Sequence, residues 1–195
     1  MRSLEELLRL KKNLRVIGFD DAPFNKEKDV PVNIAGVICS NTRFEGLLWG
    51  EVIRDGMDAN EVLVKLLKGS KFYEQVNAVF IDGIAFGGFN IIDLPRLSDD
   101  LNRPCIAVMR QYPDMLAIDK ALMNLADYSQ RKQHLINAGK IYHYHTGYYQ
   151  VSGCDPSTAA QVFEQVTDRG YVPEALRLAH LIGAAIMTGE SSNRA

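Results

Sequence analysis

Hydrophobic residues come in short runs along this chain, and the spacing within each run predicts either a strand or a helix. A first strand is expected over residues 14–19, and it runs directly into two acids, Asp20 and Asp21. Two longer extended stretches follow over residues 32–39 and 44–53, with turn-forming residues between them. This spacing is typical of an antiparallel hairpin.

Helical spacing begins after the hairpin, in the segment DGMDANEVLVKLLKGS. Asp58 is the expected N-cap of this helix, with Glu61 as its capping-box partner, and Gly69 is expected to end it. A second apolar strand then ends on Asp82, and a third, PCIAVM, ends directly before Arg110. This order favours an α/β fold in which the hairpin joins parallel strands in one mixed sheet with helices on both faces.

The second half of the chain is mainly helical, apart from the extended segment KIYHYHTGYYQVSG. Thr146 and Gly147 are expected to form a tight turn between two short strands within it. Other helices are predicted over residues 3–11, 94–101, 114–125 and 127–138, from Asp155 and Pro156 onward, and from about Pro173 to Met187. No repeat or linker interrupts the pattern, so we expect one domain over residues 1–195 with a frayed tail over about 189–195.

The composition excludes few classes of function. With 22 basic and 24 acidic residues the formal charge is −2, so no strong overall field attracts nucleic acid or anionic lipid, although a local basic groove is compatible with it. Three cysteines without a CxxC pair favour neither disulfides nor a thiolate zinc site. No apolar run is long enough to span a bilayer, and Glu5 and Glu6 interrupt the first apolar stretch, so we expect a cytoplasmic protein.

Asp20 and Asp82 each follow a buried strand, the position at which ligands gather on sheets of this kind. Neighbouring strands lie only ~5 Å apart, so two acids at equivalent strand ends can share an ion. Carboxylates are the natural ligands of Mg2+ and Mn2+, and such an ion would relieve their repulsion and serve phosphodiester hydrolysis. The alternative is that each acid caps a turn, because Asp tolerates the conformations found after strands.

Other residues could complete such a site. Asp58 and Glu61 are candidates for a third carboxylate, although a capping box explains both without a metal. Asp21 points to the opposite face if the strand continues through it, which makes it a solvent-facing or supporting acid. The glycines after Asp82 resemble no phosphate loop; they let the backbone turn tightly or a substrate approach closely, and they are Gly83, Gly87 and Gly88.

Arg110 and His180 each have two interpretations. Arg110 lies on the same rim as the acids and could bind a phosphate through two hydrogen bonds, yet an arginine after a strand is commonly a surface residue. His180 lies in a mostly apolar helix, where a histidine is more often a satisfied core residue than a ligand. His143 and His145 could share one side of their segment, but no cysteine or acid stands at metal-ligand spacing, so zinc is not expected.

Four ordered blocks resemble endonuclease V and, more closely, an endonuclease V-like family of unknown function. They are GFDD (18–21), VFIDGIAFGGFN (79–90), PCIAVMR (104–110) and RGYVPEALRLAH (169–180). The blocks and the helices between them span most of residues 14–187, and the PE-x-x-R-x-AH string is the most specific part. The resemblance implies a ribonuclease H-like fold.

The resemblance also implies site residues. Asp20 and Asp82 match the metal-binding aspartates on the first and fourth strands. Arg110 stands where the nuclease keeps a lysine, and His180 matches a histidine that some members place near the metal. Arg177, in the same string as His180, becomes a candidate for substrate contact or for support of the site.

The sequence departs from endonuclease V in two places. The family's middle carboxylate does not align clearly, so Asp58 and Glu61 stay open as alternatives. The nuclease also inserts a tyrosine- and proline-rich wedge, a PYxPG type of string, to recognise and separate strands; here WGEVIRDGMDAN fills that interval without proline or tyrosine. A metal site can therefore be kept while the mode of substrate recognition differs.

Three functions fit these features. The leading hypothesis is a nuclease-like enzyme that hydrolyses a nucleic-acid phosphodiester with Mg2+ or Mn2+. The second is a ribonuclease H-like scaffold that has lost cleavage and binds nucleic acid or a protein partner, which the missing wedge and the lack of positive charge favour. The third is a hydrolase of a small phosphorylated molecule, which needs the acids and Arg110 but no nucleic-acid groove. The sequence indicates no oligomeric state.

Overall fold

The structure, a computed structural model, describes residues 3–25 and 31–192, in which strands and helices follow nearly the predicted order. The strands are β1 (Arg15–Asp21), β2 (Val32–Ser40), β3 (Arg43–Val52), β4 (Ala78–Asp82), β5 (Ala85–Phe86), β6 (Asn90–Ile91), β7 (Cys105–Met109), β8 (Tyr142–Tyr144) and β9 (Gly147–Ser152). The helices are α1 (Leu4–Arg9), α2 (Ala59–Lys68), α3 (Leu94–Leu101), α4 (Met115–Leu122), α5 (Tyr128–Asn137), α6 (Pro156–Val166) and α7 (Glu174–Thr188).

Seven of these strands form one mixed sheet in the order β3-β2-β1-β4-β7-β9-β8. The central strands β1, β4 and β7 run parallel, whereas β2 and β3 on one side and β9 and β8 on the other add antiparallel pairs. The short strands β5 and β6 pair separately, just after β4. The predicted hairpin and the predicted parallel strands therefore belong to a single sheet.

Strand alternation divides the core into two layers, one on each face of the sheet. One layer packs under α2 and α3 and takes from the central strands Ile17, Phe19, Val79, Ile81 and Ala107. The other packs under α1, α6 and α7 and takes Val16, Ala78, Phe80, Ile106 and Val108. Helices thus cover both faces, as predicted, and none of the described helices is long and apolar enough to cross a membrane.

Helix α7 lies very close to β1. A Cβ atom built on Gly18 would lie 2.6 Å from the carbonyl carbon of Ala175 and 2.6 Å from the nitrogen of Leu176. Farther along the helix, a Cβ atom on Gly183 would lie 3.2 Å from the Cβ of Ala22. The helix therefore runs along β1 toward its carboxyl end, and the missing side chain at position 18 allows the contact.

Strand β1 is longer than predicted, because it includes both acids instead of ending before them. Asp20 pairs with Ala35 of β2, and Asp21 pairs with Ile34. Since successive side chains of a strand point to opposite faces, the two carboxylates lie on opposite sides of the sheet. The strand thus continues through Asp21, which is the condition under which Asp21 is expected to face away from Asp20.

The capping box predicted at the start of α2 is wrong. Asp58 occupies the N-cap position, but its side chain makes no capping hydrogen bond to that helix. Its carboxylate accepts hydrogen bonds from the backbone N–H of Ile53 and from Nδ2 of Asn90, the latter at 2.6 Å. Asp58 therefore joins the end of the hairpin to β6 instead of capping α2.

Smaller differences affect the turn between β8 and β9 and the end of the chain. Tyr144 pairs with Gly147, so the turn consists of His145 and Thr146, one residue earlier than predicted. Within the predicted tail, residues 189–192 form no helix or strand, and residues 193–195 lie outside the described residues. The turn is displaced because His145 adopts a left-handed conformation, with φ of 50°, and so supplies the reversal.

Candidate metal centre

Strand alternation brings three of the predicted site residues together at the carboxyl edge of the sheet. Strands β1 and β4 pair in parallel with Phe19 opposite Ile81, so Asp20 and Asp82 follow at the same level on adjacent strands. The even-numbered residues of β1 and β4 face α7, so the side chains of Asp20 and Asp82 lie on that face of the sheet. Arg110, which directly follows β7, reaches the same cluster, because its guanidinium contacts Asp82.

Helix α7 adds His180 to this cluster. Its Nδ1 lies 2.9 Å from Oδ2 of Asp20, a hydrogen-bonding distance. The neighbouring Ala179 is fully buried against the sheet, whereas the side chain of His180 stays 25% exposed beside the acids. His180 is therefore not the satisfied core histidine that its apolar helix suggested.

Asp20, Asp82 and His180 lie close enough together to share one metal ion. Each offers one ligand atom, and the three atoms lie within 4.8 Å of one another. Across residues 3–25 and 31–192, no other three His, Cys, Asp or Glu side chains group in this way. Two carboxylates and one imidazole suit Mn2+ and other divalent cations that prefer oxygen and nitrogen ligands. The donor set therefore fits a divalent cation.

The two buried carboxylates of the cluster also favour a cation. Asp20 is only 5% exposed, and burial raises its pKa to about 6, against the opposite effect of the hydrogen bond with His180. Burial likewise raises the pKa of Asp82, against the attraction of Arg110. The hydrogen bond with Asp20 raises the pKa of His180. Because a bound divalent cation stabilises ionised carboxylates, it would offset the cost of burying them.

Arg110 lies at the edge of the cluster. Its Nη2 is 3.5 Å from Oδ2 of Asp82, and its side chain is 35% exposed. The cluster opens into a cavity of about 450 Å³, which Asp21, Ala22, Pro23 and Phe24 also line. A guanidinium has five N–H donors, so the single long contact with Asp82 leaves donors that can bind an anion such as phosphate.

Comparison with known proteins assigns the chain to a family. Residues 12–187 match the family model described as Endonuclease dU. The chain belongs to the endonuclease dU family. A UPF0215 protein of Methanothermobacter thermautotrophicus is 34% identical to it over 192 residues, which cover 96% of this chain and 94% of the relative. A UPF0215 protein of Archaeoglobus fulgidus is 35% identical over 184 residues, 94% of this chain and 99% of the relative.

Solved structures show that this endonuclease dU family member has the fold of endonuclease V. A protein of unknown function from Archaeoglobus fulgidus superposes with a TM-score of 0.84 at 34% identity, covering 89% of this chain and 98% of that one. Endonuclease V of Bacillus subtilis gives a TM-score of 0.60 at 10% identity, covering 95% and 90%. Endonuclease V of Ciona intestinalis, in complex with DNA, gives 0.59 at 16% identity, covering 92% and 87%. The endonuclease V-like family and the ribonuclease H-like fold are thus confirmed.

Asp21 and the glycines after Asp82 lie on the other side of the sheet edge. Oδ2 of Asp21 accepts a hydrogen bond from the backbone N–H of Gly87 at 2.7 Å. Gly87 and Gly88 form the turn between β5 and β6 with φ of 54° and 95°, and Gly83 has φ of 77° directly after β4. The glycines therefore allow tight turns, as predicted, and Asp21 holds one of them; their contact with a substrate stays a prediction.

The structure does not bring either candidate for the third carboxylate to the cluster. Asp58 is engaged at the end of the hairpin, as described above. Glu61 lies on the outer side of α2 with 70% of its side chain exposed, and pairs with Arg96 at 3.5 Å. Neither belongs to the group of ligand atoms around Asp20. The third ligand atom of the group is instead that of His180.

Arg177 lies apart from the cavity, near the start of α7. Its guanidinium donates to both carboxylate oxygens of Glu174, at 2.7 and 2.6 Å. Glu174 is buried, with 7% of its surface exposed, and Arg177 follows three residues later. This ion pair therefore lies on the first turn of α7. Arg177 is not among the residues that line the cavity. Its support of the site through α7 stays a prediction.

Arg131 is a buried cation that no sequence pattern singles out. From α5, its guanidinium donates to the backbone carbonyls of Asp55, Gly56 and Phe89. The carbonyls of Asp55 and Gly56 belong to residues 53–58, which connect the end of β3 to the start of α2. This segment lies within WGEVIRDGMDAN, the stretch without tyrosine and proline. Arg131 therefore holds this segment against the β5–β6 turn. Helical spacing gave no signal for it, because a long cationic side chain on a polar helix normally points to solvent.

Proposed function

We propose that this protein is a divalent-metal-dependent nuclease that hydrolyses a phosphodiester bond of nucleic acid. The observation that carries the proposal is the grouping of Asp20, Asp82 and His180, whose ligand atoms lie within 4.8 Å of one another. The two aspartates would hold Mg2+ or Mn2+, with His180 as a further ligand. The bound cation would neutralise charge on the phosphate and activate water for hydrolysis.

Arg110 and His180 would position the phosphate and the carboxylate of Asp20 and would supply positive charge or a proton. Arg110, beside Asp82 at the edge of the open cavity, is placed to bind a phosphate oxygen through the donors that Asp82 does not use. The raised pKa of His180 keeps its imidazole protonated closer to neutral pH. Where it is not a ligand, His180 orients the carboxylate of Asp20 through their hydrogen bond, or donates a proton to the leaving oxygen.

Nucleic acid is the proposed substrate class because of the relatives. The Ciona intestinalis endonuclease V structure contains a 23mer DNA with an inosine followed by a ribo-adenosine. The matched family is described as Endonuclease dU. DNA containing deoxyuridine or deoxyinosine is therefore the first substrate to test. The open shape of the cavity also favours a polymer over a small phosphorylated molecule, which a closed pocket would hold better.

A scaffold that binds nucleic acid or a protein partner without cleaving it is the second candidate. The formal charge of −2 favours it, because a nuclease gains affinity from positive charge. Residues 53–58 favour it too, since they contain no wedge of tyrosine and proline. Their carbonyls accept hydrogen bonds from Arg131, which restrains the segment.

Incubation with end-labelled oligonucleotides distinguishes the two candidates. The substrates are single- and double-stranded DNA and RNA, with and without inosine, and DNA with and without deoxyuridine, in Mg2+, Mn2+ or EDTA. We expect cation-dependent cleavage that is lost in Asp82→Asn. Glu61→Gln is the matched control, because it removes an exposed carboxylate outside the cluster, and it should cleave like the wild type.

Two results would contradict the nuclease proposal. Cleavage that persists in EDTA or in Asp82→Asn would separate the activity from the cluster. Survival of every substrate, with Mn2+ bound to the wild type and not to Asp82→Asn, would leave an intact metal centre without nuclease activity. The scaffold would then be the better description of the protein.

A further inference from the structure

Asp21 lines the same cavity as the metal centre, although strand alternation directs its side chain to the other face of the sheet. It is the last residue of β1 and stands one position beyond the level at which β4 ends on Asp82. The pairing of β1 with β4 ends here, so side chains from both faces border the space beyond the strand ends. Asp21 therefore reaches the cavity that Asp20, Asp82 and His180 also line.

The hydrogen bond of Asp21 explains an acceptor at this position but not a negative charge. Its Oδ2 accepts from the backbone N–H of Gly87 at 2.7 Å. An asparagine could accept the same hydrogen bond through its side-chain oxygen and would carry no charge. The side chain of Asp21 is partly buried, where a charge is costly unless an opposite charge compensates it. The charge of Asp21 therefore needs a partner other than Gly87.

The charges around the cavity indicate what that partner is. Burial raises the pKa values of Asp20 and Asp21, and repulsion between like charges raises them further, from Asp82 on Asp21 and from Asp21 on Asp20. When His180 is neutral, as a metal ligand must be, three ionised carboxylates and the guanidinium of Arg110 give the cavity lining a net charge of −2. One divalent cation neutralises this charge, and the neutrality depends on Asp21.

Asp21 is placed outside the direct ligands of such a cation. The three ligand atoms that lie within 4.8 Å of one another belong to Asp20, Asp82 and His180. A cation such as Mg2+ is bound through one or two carboxylates and keeps several of its waters. Those waters can donate hydrogen bonds to a further carboxylate at the cavity wall. Outer partners of this kind contribute to metal affinity without touching the ion.

We propose that Asp21 supplies the third carboxylate of the metal centre and binds the cation through its water shell. The proposal rests on the metal-dependent function proposed above and adds a residue to it. The third acid then comes from β1, next to Asp20, and not from the start of α2, where Asp58 and Glu61 are engaged elsewhere.

Titration of Mn2+ into Asp21→Asn, followed by isothermal calorimetry, tests the role of this charge. We expect the affinity to fall by about tenfold, the usual effect of losing an outer partner of a metal site. Asp55→Asn is the matched control, because the carboxylate of Asp55 accepts from the N–H of Phe89 beside the same turn but does not line the metal cavity. The affinity of Asp55→Asn for Mn2+ should equal that of the wild type.

Urea unfolding in EDTA separates the loss of metal binding from a loss of structure. Asp21→Asn keeps an acceptor for Gly87 and removes one repulsive charge, so its unfolding midpoint should equal or exceed that of the wild type. Wild-type affinity for Mn2+ in Asp21→Asn would overturn the proposal. A reduced affinity together with a lower midpoint would overturn it as well, because a structural role of Asp21 would then explain the loss.

Asp82→Asn in the same titration distinguishes this proposal from the metal centre itself. If Asp82→Asn loses affinity for Mn2+ and Asp21→Asn does not, only the role of Asp21 is refuted, and the proposed nuclease keeps its direct ligands. If the wild type binds no Mn2+, or Asp82→Asn binds it equally well, the metal centre is refuted and the role of Asp21 with it.

Discussion

Nδ1 of His180 lies 2.9 Å from Oδ2 of Asp20, although 160 residues separate the two along the chain. Strand β1 carries the aspartate, and α7 carries the histidine. The cluster is completed by Asp82 from the parallel neighbour β4. The candidate metal centre therefore depends on the packing of α7 against β1, and both the ligands and the packing can be tested by substitution.

Loss of one aspartate should weaken metal binding. We expect Asp20→Asn and Asp82→Asn each to lower the affinity for Mn2+ by more than about tenfold, because losing even an outer partner of a metal site has an effect of this size. Isothermal titration calorimetry measures the affinity. Glu61→Gln is the control and should bind like the wild type. If Glu61→Gln loses as much affinity as Asp82→Asn, Glu61 is a ligand and the cluster described here is incomplete.

The pKa of His180 in the metal-free protein should report its contact with Asp20. The hydrogen bond raises this pKa above the ordinary value of 6.5. The stability that comes from the protonated imidazole is therefore fully present below pH 6.5 and is lost as the pH rises through the raised value. In Asp20→Asn the pKa should fall, and NMR titration of the imidazole resonances in EDTA measures it.

Arg110 and Asp82 also act on His180, so the removal of either charge should shift the pKa of His180 in a known direction. Arg110 lowers the pKa of His180, so Arg110→Gln should raise it. Asp82 raises it, so Asp82→Asn should lower it. A pKa of His180 that is the same in the wild type and in Asp20→Asn would contradict the contact between the two side chains.

A side chain at position 18 should disrupt the packing of α7. The Cβ atom of Gly18→Ala would lie 2.6 Å from two backbone atoms of the helix, which cannot rotate away. We expect the free energy of unfolding to fall by about 3 kcal/mol or more, at the upper end of overpacking effects. Urea unfolding followed by circular dichroism measures it.

Gly183→Ala is the control for this substitution. Its Cβ atom meets Ala22 at 3.2 Å, a tight contact that the higher helix propensity of alanine, about 1 kcal/mol, largely offsets. In a folded fraction of Gly18→Ala, the pKa of His180 should also move toward 6.5, because the helix is displaced. Equal stability of the two variants would contradict the close approach of α7 to β1.

Arg131→Ala should destabilise the loops beside the site. The substitution leaves the carbonyls of Asp55, Gly56 and Phe89 without their donor, and we expect the free energy of unfolding to fall by about 3 kcal/mol. Lys132→Ala is the adjacent control, since Lys132 pairs with Asp119 at the surface, and it should leave the unfolding midpoint nearly unchanged. Thermal unfolding compares the two, and similar midpoints would contradict the described role of Arg131.

Local patterns in the sequence determined most of the fold. Runs of apolar residues located the strands, and turn-forming residues located the hairpin between β2 and β3. The alternation of side chains along a strand also predicted that Asp20 and Asp21 face opposite sides of the sheet. No knowledge of the neighbouring strands is needed for this prediction. The family blocks identified Asp20, Asp82, Arg110 and His180 together, and the structure groups all four around one cavity.

The tertiary structure decided which interaction each polar side chain makes. Asp58 had the spacing of a helix cap, but Asn90 and Ile53 lie close enough to take its carboxylate. Arg131 had the spacing of a surface residue, but three backbone carbonyls from distant segments surround it. These hydrogen-bonding partners come from parts of the chain that are far apart in sequence. Whether they come within hydrogen-bonding distance depends on how the helices pack on the sheet, which no local pattern in the sequence predicts.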